Sequence, residues 1–182
     1  KKIVADSSTE YLRGISSLFE AVTSSQLEGA PTTWSDAKRM IRTKSAPRDL
    51  GERMIFNNYK AMQRIIEIRN QPLTVDVIKE LHYTLTENTL DKPDTAGRFR
   101  REDEFVRVAD DETIFHLPPH ASRLSADMAA LCAFANGESV DGMYMPDIIK
   151  AIVLHFWLAY EHPFCDGNGR VARALMYWSL LR

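Results

Sequence analysis

Two stretches near the end of the chain restrict its fold more than anything else in it. Ile148 to Tyr160 and Val171 to Leu181 are strongly apolar and helical in period, and one short polar stretch separates them. In the first, Ile148, Ile149, Ile152, Val153, Leu154, Phe156, Trp157 and Leu158 leave almost no polar face, which predicts a helix in the centre of a bundle. The second is expected to return alongside it as the other limb of a buried hairpin. The connection, His162-Pro163-Phe164-Cys165-Asp166-Gly167-Asn168-Gly169-Arg170-Val171-Ala172-Arg173, interrupts that hairpin with a proline, two glycines and several polar residues.

Chemistry explains such an interruption better than a simple turn does. A helix starting after Gly169 offers unpaired backbone N–H groups and a partial positive charge, which together attract an anion. Glycines let the backbone approach a phosphate closely. Arg170 and Arg173, three residues apart, are expected to reach that anion from one helix face. Asp166 is the carboxylate of the loop, a hard-oxygen donor of the kind Mg²⁺ uses beside phosphates. His162 is the candidate general base. A base, a metal ligand, an anion cradle and two cations in one loop point to phosphoryl or nucleotidyl transfer.

Three other motifs fit less well. Gly167-x-Gly169-x-x-Ala172 matches the dinucleotide-binding spacing, but a helix precedes it where a strand is required. The Gly-Lys-Ser/Thr ending of a nucleotide-binding phosphate loop is absent. Cys132, His155, His162 and Cys165 have no recognised zinc spacing.

The twelve residues from His162 to Arg173 resemble the full signature of the Fic family, H-P-F-x-[DE]-G-N-G-R-x-x-R, without departure. The resemblance covers about Glu10 to the end of the chain. It implies a mainly α fold, a Fic-type helical bundle with a central helical hairpin and a small β-hairpin flap. It implies a Mg²⁺-dependent protein adenylyltransferase that moves AMP from ATP to a Ser, Thr or Tyr hydroxyl of a target protein. His162 would be the catalytic base, Asp166 the Mg²⁺ ligand, Gly167, Asn168 and Gly169 the anion hole, and Arg170 and Arg173 the grip on the outer phosphates. Phe164 would point into the core. Family members acting as kinases carry lysine where this chain has Gly169, so glycine favours AMP transfer.

Ser24-x-x-x-Glu28-Gly29 resembles the inhibitory motif [ST]-x-x-x-E-[GN] of regulated Fic proteins, in the class that carries the inhibitory helix before the core. The resemblance implies that Glu28 pairs with Arg173 and blocks the γ-phosphate position. A glutamate at a helix C-terminus is disfavoured by up to about 1 kcal/mol, so a partner elsewhere is expected. A bidentate pair worth roughly 1.5 to 3 kcal/mol would weaken productive ATP binding about ten- to a hundred-fold. The same site could run backwards as a de-AMPylase, with Glu28 directing water. A nucleotide-sensing interaction module with little turnover is the reading from a different functional class.

The rest of the chain reads as helices with one exception. An amphipathic helix runs from about residue 10 to Gly29, with Tyr11, Leu12, Ile15, Leu18, Phe19, Val22 and Leu27 as its periodic residues. Thr33 and Asp36 resemble a capping box for a short helix to Arg42. Pro47 opens a longer one, in which Met54, Ile55, Tyr59, Met62, Ile65 and Ile66 share a face, and Thr74 caps the next. Another spans Ser122 to Asn136, and Pro146 suits the first turn of the helix after it. Between Asn88 and Pro119 the helical period disappears. Phe99 to Val108 alternates loosely and Thr113 to Leu117 is β-prone, which predicts a hairpin. By resemblance this hairpin is the flap that holds the target segment by strand-to-strand bonds, with Thr113, Ile114, Phe115 and His116 as contact residues. Relatives often show Tyr-Val-Pro-Pro where this chain reads Phe115-His116-Leu117-Pro118-Pro119, a partial match. His155 reads as a hydrogen-bonded core residue, and His82, His116 and His120 lack the loop context of His162.

At 182 residues the chain is expected to form one domain, and it reads as an excerpt of a longer protein. Its net charge of -2 argues against a general nucleic-acid surface. Two cysteines give no disulfide framework. No apolar run is long enough for a bilayer, and Lys1 to Thr9 shows no secretory segment. A cytoplasmic protein is expected, without membrane or nucleic-acid partners. Its expected partners are ATP, a target protein at the flap and, by resemblance, further copies of itself.

Overall fold

The computed structural model describes residues 2–137 and 145–182, with side chains from residue 14 onward. Seven α-helices and one two-stranded sheet are present among them: α1 (Lys2–Leu27), α2 (Trp34–Thr43), α3 (Leu50–Ile68), α4 (Val75–Thr86), β1 (Val108–Ala109), β2 (Ile114–His116), α5 (Leu124–Ala135), α6 (Asp147–Glu161) and α7 (Asn168–Leu180). No helix among the described residues is long and apolar enough to cross a membrane. The helix starts follow local chemistry. The side chains of Thr33, Asp49 and Thr74 accept hydrogen bonds from the N–H of Asp36, Glu52 and Val77, satisfying otherwise orphaned donors at the starts of α2, α3 and α4. Pro47 therefore precedes α3 rather than opening it, and Pro146 stands immediately before α6.

The main core lies where α3, α4 and α6 pack on α7 and α5 closes against α4 and α6. It is filled by Met62, Ile65, Leu81, Leu85, Met128, Leu154, Phe164, Leu175 and Trp178. A second cluster, with Leu18, Ala21, Val22, Met40 and Ile55, seals α1 and α2 onto α3. In α1 the inward face differs from the sequence expectation. Ser17, Leu18, Ala21, Val22, Ser24 and Ser25 are buried, whereas Ile15, Phe19 and Leu27 are exposed. Small side chains let α1 lie close to α3, where the Asn58 amide donates to Ser25 Oγ at 2.8 Å. The bulky residues turn outward, and Phe19 packs against Trp34 with ring centroids 6.0 Å apart. The side chains of Tyr11 and Leu12 lie outside the described residues.

The α6–α7 hairpin is present, but its limbs are not equivalent. α7 is the enclosed limb and touches α1, α3, α4 and α6. α6 buries Ala151, Leu154, Leu158 and Glu161 and leaves Ile148, Ile149, Ile152, Phe156 and Tyr160 in the open, contrary to the expectation of all-round burial. Its uniform apolarity concealed an outer face. His155 likewise departs from its expected hydrogen-bonded role, because its buried Nδ1 has no partner among the described residues. The hairpin strands are shorter than the pattern suggested. Phe99 to Arg107 is irregular, and only Val108↔His116 and Ala109↔Ile114 pair.

Candidate functional site

α6 ends at His162, whose backbone takes the left-handed conformation, φ 47° and ψ 56°, that a non-glycine residue adopts only when its surroundings enforce it. Arg100 provides the constraint. Its Nε donates to the His162 carbonyl at 2.9 Å, Nη2 reaches the carbonyls of Pro119 and Glu161, and its own backbone N–H donates to Pro163. The guanidinium is buried and fastens both ends of the β-hairpin segment to the loop between α6 and α7. His162 Nδ1 lies 3.2 Å from the Ala159 carbonyl. A carbonyl only accepts, so Nδ1 carries the proton and Nε2 keeps its lone pair. Burial is the main cause that lowers the His162 pKa, which favours the neutral ring.

Beyond His162 the loop is pinned from inside. Phe164 is fully buried, as expected, and its ring stacks on His82 with centroids 3.7 Å apart. The Asn168 amide closes the turn, accepting from Phe164 N–H and donating to Phe164 O, both at 2.9 Å. Gly167 has φ 79°, and a Cβ there would meet Thr86 Cγ2 at 2.7 Å, so the position requires glycine. Since α7 begins at Asn168, the N–H groups of Asn168, Gly169 and Arg170 precede its first acceptor, the Gly167 carbonyl taken by Val171. Those three donors are left open to an anion, whereas Gly167, expected among them, has its N–H turned to Asp166 Oδ1.

The charged residues of the loop divide their tasks differently from the expectation. Arg173 remains partly accessible, but Arg170 is buried. Arg170 Nη1 is held by the Leu85 carbonyl and Thr89 Oγ1, and Nη2 by Asp166 Oδ2 at 3.2 Å. Its Nε is buried without a hydrogen bond and faces Glu28 Oε2 at 3.9 Å. The two arginines are therefore not equal arms on one face, because α7 turns Arg170 inward. Asp166 keeps 59 % of its side chain exposed, and a cavity of about 380 Å³ opens beside it between Asp91, Lys92, Glu104, Phe105 and Cys165. The described residues hold no cluster of three or more metal-binding side chains. An exposed carboxylate next to open backbone N–H groups suits a cation that arrives with its own phosphate ligands, as Mg²⁺ does.

The end of α1 reaches this loop across the chain. Glu28 Oε1 is 2.6 Å from Arg173 Nη2, while Ser24 accepts from Arg173 through Oγ at 2.8 Å and through its carbonyl at 3.2 Å. The pairing is thus a single carboxylate contact supplemented by Ser24, not the bidentate fork expected. Gly29, at φ 89°, ends the helix one residue later. At Gly169 an added Cβ would sit 3.0 Å from Glu28 Oε1 and 3.2 Å from Arg173 Nη1, so the glycine also leaves room for this contact.

On the hairpin, Thr113 closes the turn through Asp110, and Ile114 and Phe115 are exposed. His116 is also tied to the helical body. Its Nε2 donates to the Tyr160 carbonyl at 2.7 Å and anchors the strand to α6.

Sequence reasoning passed over His82 and Arg100 as structural supports. For His82 a signal existed, because a histidine on the apolar face shared by Ile78, Leu81 and Leu85 must find buried partners.

Comparison with known proteins agrees with this geometry. The model of the Fic/DOC family matches residues 72–180. A protein adenylyltransferase Fic of Nematostella vectensis is 30% identical over 167 residues, 87% of this chain and 36% of the relative, and one of Drosophila ananassae is 30% identical over 115 residues, 63% of this chain and 21% of that protein. The chain thus spans about a third or less of these curated relatives. The fold is shared with a Fic-domain signalling protein of Bacteroides thetaiotaomicron, at TM-score 0.76 and 22% identity over 100% of this chain and 66% of that one. It is also shared with Fic-1 of C. elegans, at TM-score 0.69 and 18% identity over 90% of this chain and 47% of that one. With the family model matching well over half of its residues, the chain belongs to the Fic/DOC family.

Proposed function

We propose that the chain is the catalytic core of a protein adenylyltransferase, transferring AMP from ATP to a Ser, Thr or Tyr hydroxyl of a target protein and held in check by Glu28. The observation that carries the reading is the juxtaposition of His162, with its free Nε2, and the three open N–H groups of α7 in one rigid loop. His162 takes the hydroxyl proton as the oxygen attacks the α-phosphorus and pyrophosphate departs. Its depressed pKa keeps it neutral, and so ready to accept, at pH 7. Charge developing on the phosphate oxygens meets the amides of Asn168, Gly169 and Arg170 and the positive end of α7. Arg173 is the accessible cation for the outer phosphates. Asp166 would hold Mg²⁺, which supplies charge neutralisation along the phosphate chain. The names of the curated relatives support AMP transfer, and ATP is the substrate that this activity requires.

In the resting state Glu28 occupies the cation meant for phosphate. Glu28→Gly should raise label transfer from α-labelled ATP to a target, or to the chain itself, about ten- to a hundred-fold, and His162→Ala in that background should abolish it. Equal labelling by Glu28→Gly and the unchanged chain would sink the inhibitory part. Persistent labelling by the double variant would sink the catalytic part. The reverse reaction, hydrolysis of AMP from a modified protein, draws on Glu28 Oε2, which lies 3.9 Å from Arg170 Nε. Release of AMP from a pre-labelled target by the unchanged chain, lost in Glu28→Gly, is its signature. Target docking at the flap and self-association belong to the same proposal, as does a cytoplasmic location.

A further inference from the structure

His82 touches no reacting atom and yet joins three parts of the site. It lies on α4, fully buried, with its ring flat against Phe164. The Gly97 N–H, at the root of the flap segment, donates to Nδ1 at 2.9 Å. An N–H can only donate, so Nδ1 presents a lone pair and the ring proton must sit on Nε2. Nε2 is 2.9 Å from the Asp166 carbonyl, which can only accept. Both contacts are therefore made only by the neutral Nε2–H tautomer. An imidazolium would lose the Gly97 bond.

The Asp166 carbonyl belongs to the peptide plane between the metal-ligand candidate and the first glycine of the loop. With that carbonyl drawn inward, the Gly167 N–H on the other side of the plane points to Asp166 Oδ1, and the carboxylate faces outward. Glycine lets this plane flip at little intrinsic cost. Phe164 stacking cannot prevent the flip, whereas a directed hydrogen bond to the carbonyl can. The neighbouring wall is too close for movement of the loop as a whole, since Thr86 and His82 both line the space beside Gly167.

We propose that His82 is a positioning residue for the transfer reaction: its neutral ring locks the Asp166–Gly167 peptide in the orientation that aims the carboxylate outward, and ties that peptide to the root of the flap at Gly97. The proposal rests on the adenylyltransferase reading for its activity consequences, but its structural consequence can be read without any activity.

The test uses His82→Phe, which keeps ring volume and stacking but removes both hydrogen bonds, and His82→Gln, whose amide can accept from Gly97 and donate to Asp166. Both are made in the Glu28→Gly background. Amide hydrogen exchange at Gly97 is measured on each, together with kcat and target KM for AMP transfer. His82→Phe should speed exchange at Gly97 at least tenfold and lower kcat about ten- to a hundred-fold, with target KM within about threefold. His82→Gln should recover most of both losses. Unchanged Gly97 protection and kcat in His82→Phe would overturn the proposal. So would equal losses in both variants accompanied by equal falls in Tm, which would mark His82 as packing alone. If Glu28→Gly itself transfers no AMP, the adenylyltransferase reading fails, and Gly97 exchange still decides whether His82 locks the loop.

Discussion

The loop between α6 and α7 and the hairpin beside it lie at opposite ends of structural determination, although each is short and each carries proposed function. In the loop, Arg100 fixes the His162 carbonyl, the Asn168 amide closes on both backbone groups of Phe164, and Phe164 itself is sealed in the core. In the hairpin only two residue pairs meet, with an irregularity between them, and Ile114, Phe115 and Leu117 stand in the open. The difference matches what each is proposed to do. A site for phosphoryl chemistry works by fixed dipoles that need not reorganise during reaction, whereas a strand edge that accepts a guest works by leaving hydrogen bonds unmade.

The strongest way to break the contrast is to free the loop. Arg100→Met keeps much of the buried hydrocarbon and removes every side-chain bond to the His162, Glu161 and Pro119 carbonyls. Each orphaned buried acceptor costs about 1–3 kcal/mol, and the left-handed His162 loses its support. Denaturant unfolding should show a loss of about 2–4 kcal/mol, and label transfer in the Glu28→Gly background should fall more than tenfold. A variant as stable and active as its parent would show that the loop holds itself.

How much of this contrast could be read in the chain beforehand depended on whether the relevant signal was local. His162 to Arg173 declared itself because proline, glycine and charge stand where an apolar helix pair should continue. The helix starts at Thr33 and Thr74 were equally legible, since capping involves residues only a few positions apart. The inward face of α1 was not, because periodicity was counted on bulky residues while Ser17, Ala21 and Ser25 make the close approach. Nor was the unequal character of the two arginines, which depends on Leu85 and Thr89 far away in sequence. Glu28 could be matched to Arg173 by motif, but the part that Ser24 plays in holding the guanidinium is visible only in three dimensions.

A middle case sharpens the comparison, because the stem between loop and hairpin is held by charge. Arg98 donates to both oxygens of Glu104, and the Arg101 N–H donates to one of them. The Arg98 hydrogen bond is the main reason the Glu104 carboxyl titrates far below its ordinary range, at about 2. A carboxyl whose folded pKa is depressed stabilises the fold fully above its unfolded pKa, and loses that contribution as pH falls toward the folded value. The stem should therefore weaken between roughly pH 4.5 and 2. Because the pair is partly exposed, the net effect should be about 1 kcal/mol or less. Urea midpoints of the parent and Glu104→Gln, compared at pH 6 and pH 3, should differ more at the higher pH than at the lower one, which lies inside that window. A constant gap would assign the stem to packing.

The smallest structural effect is expected where the hairpin is most open. Phe115 is 66% exposed, so Phe115→Ala should change stability by no more than about 0.5 kcal/mol. If the strand edge receives the target, the same substitution should raise target KM several-fold while leaving kcat intact, because the reacting groups sit in a loop that Phe115 does not support. His116→Ala supplies the contrast within the same strand. It removes the anchor to the Tyr160 carbonyl, so it should loosen the hairpin as a whole, seen as faster amide exchange in β1 and β2, and not only remove a contact. Should Phe115→Ala lower kcat instead of raising KM, the hairpin would be part of the catalytic unit, and the division between a rigid loop and an open edge would not hold.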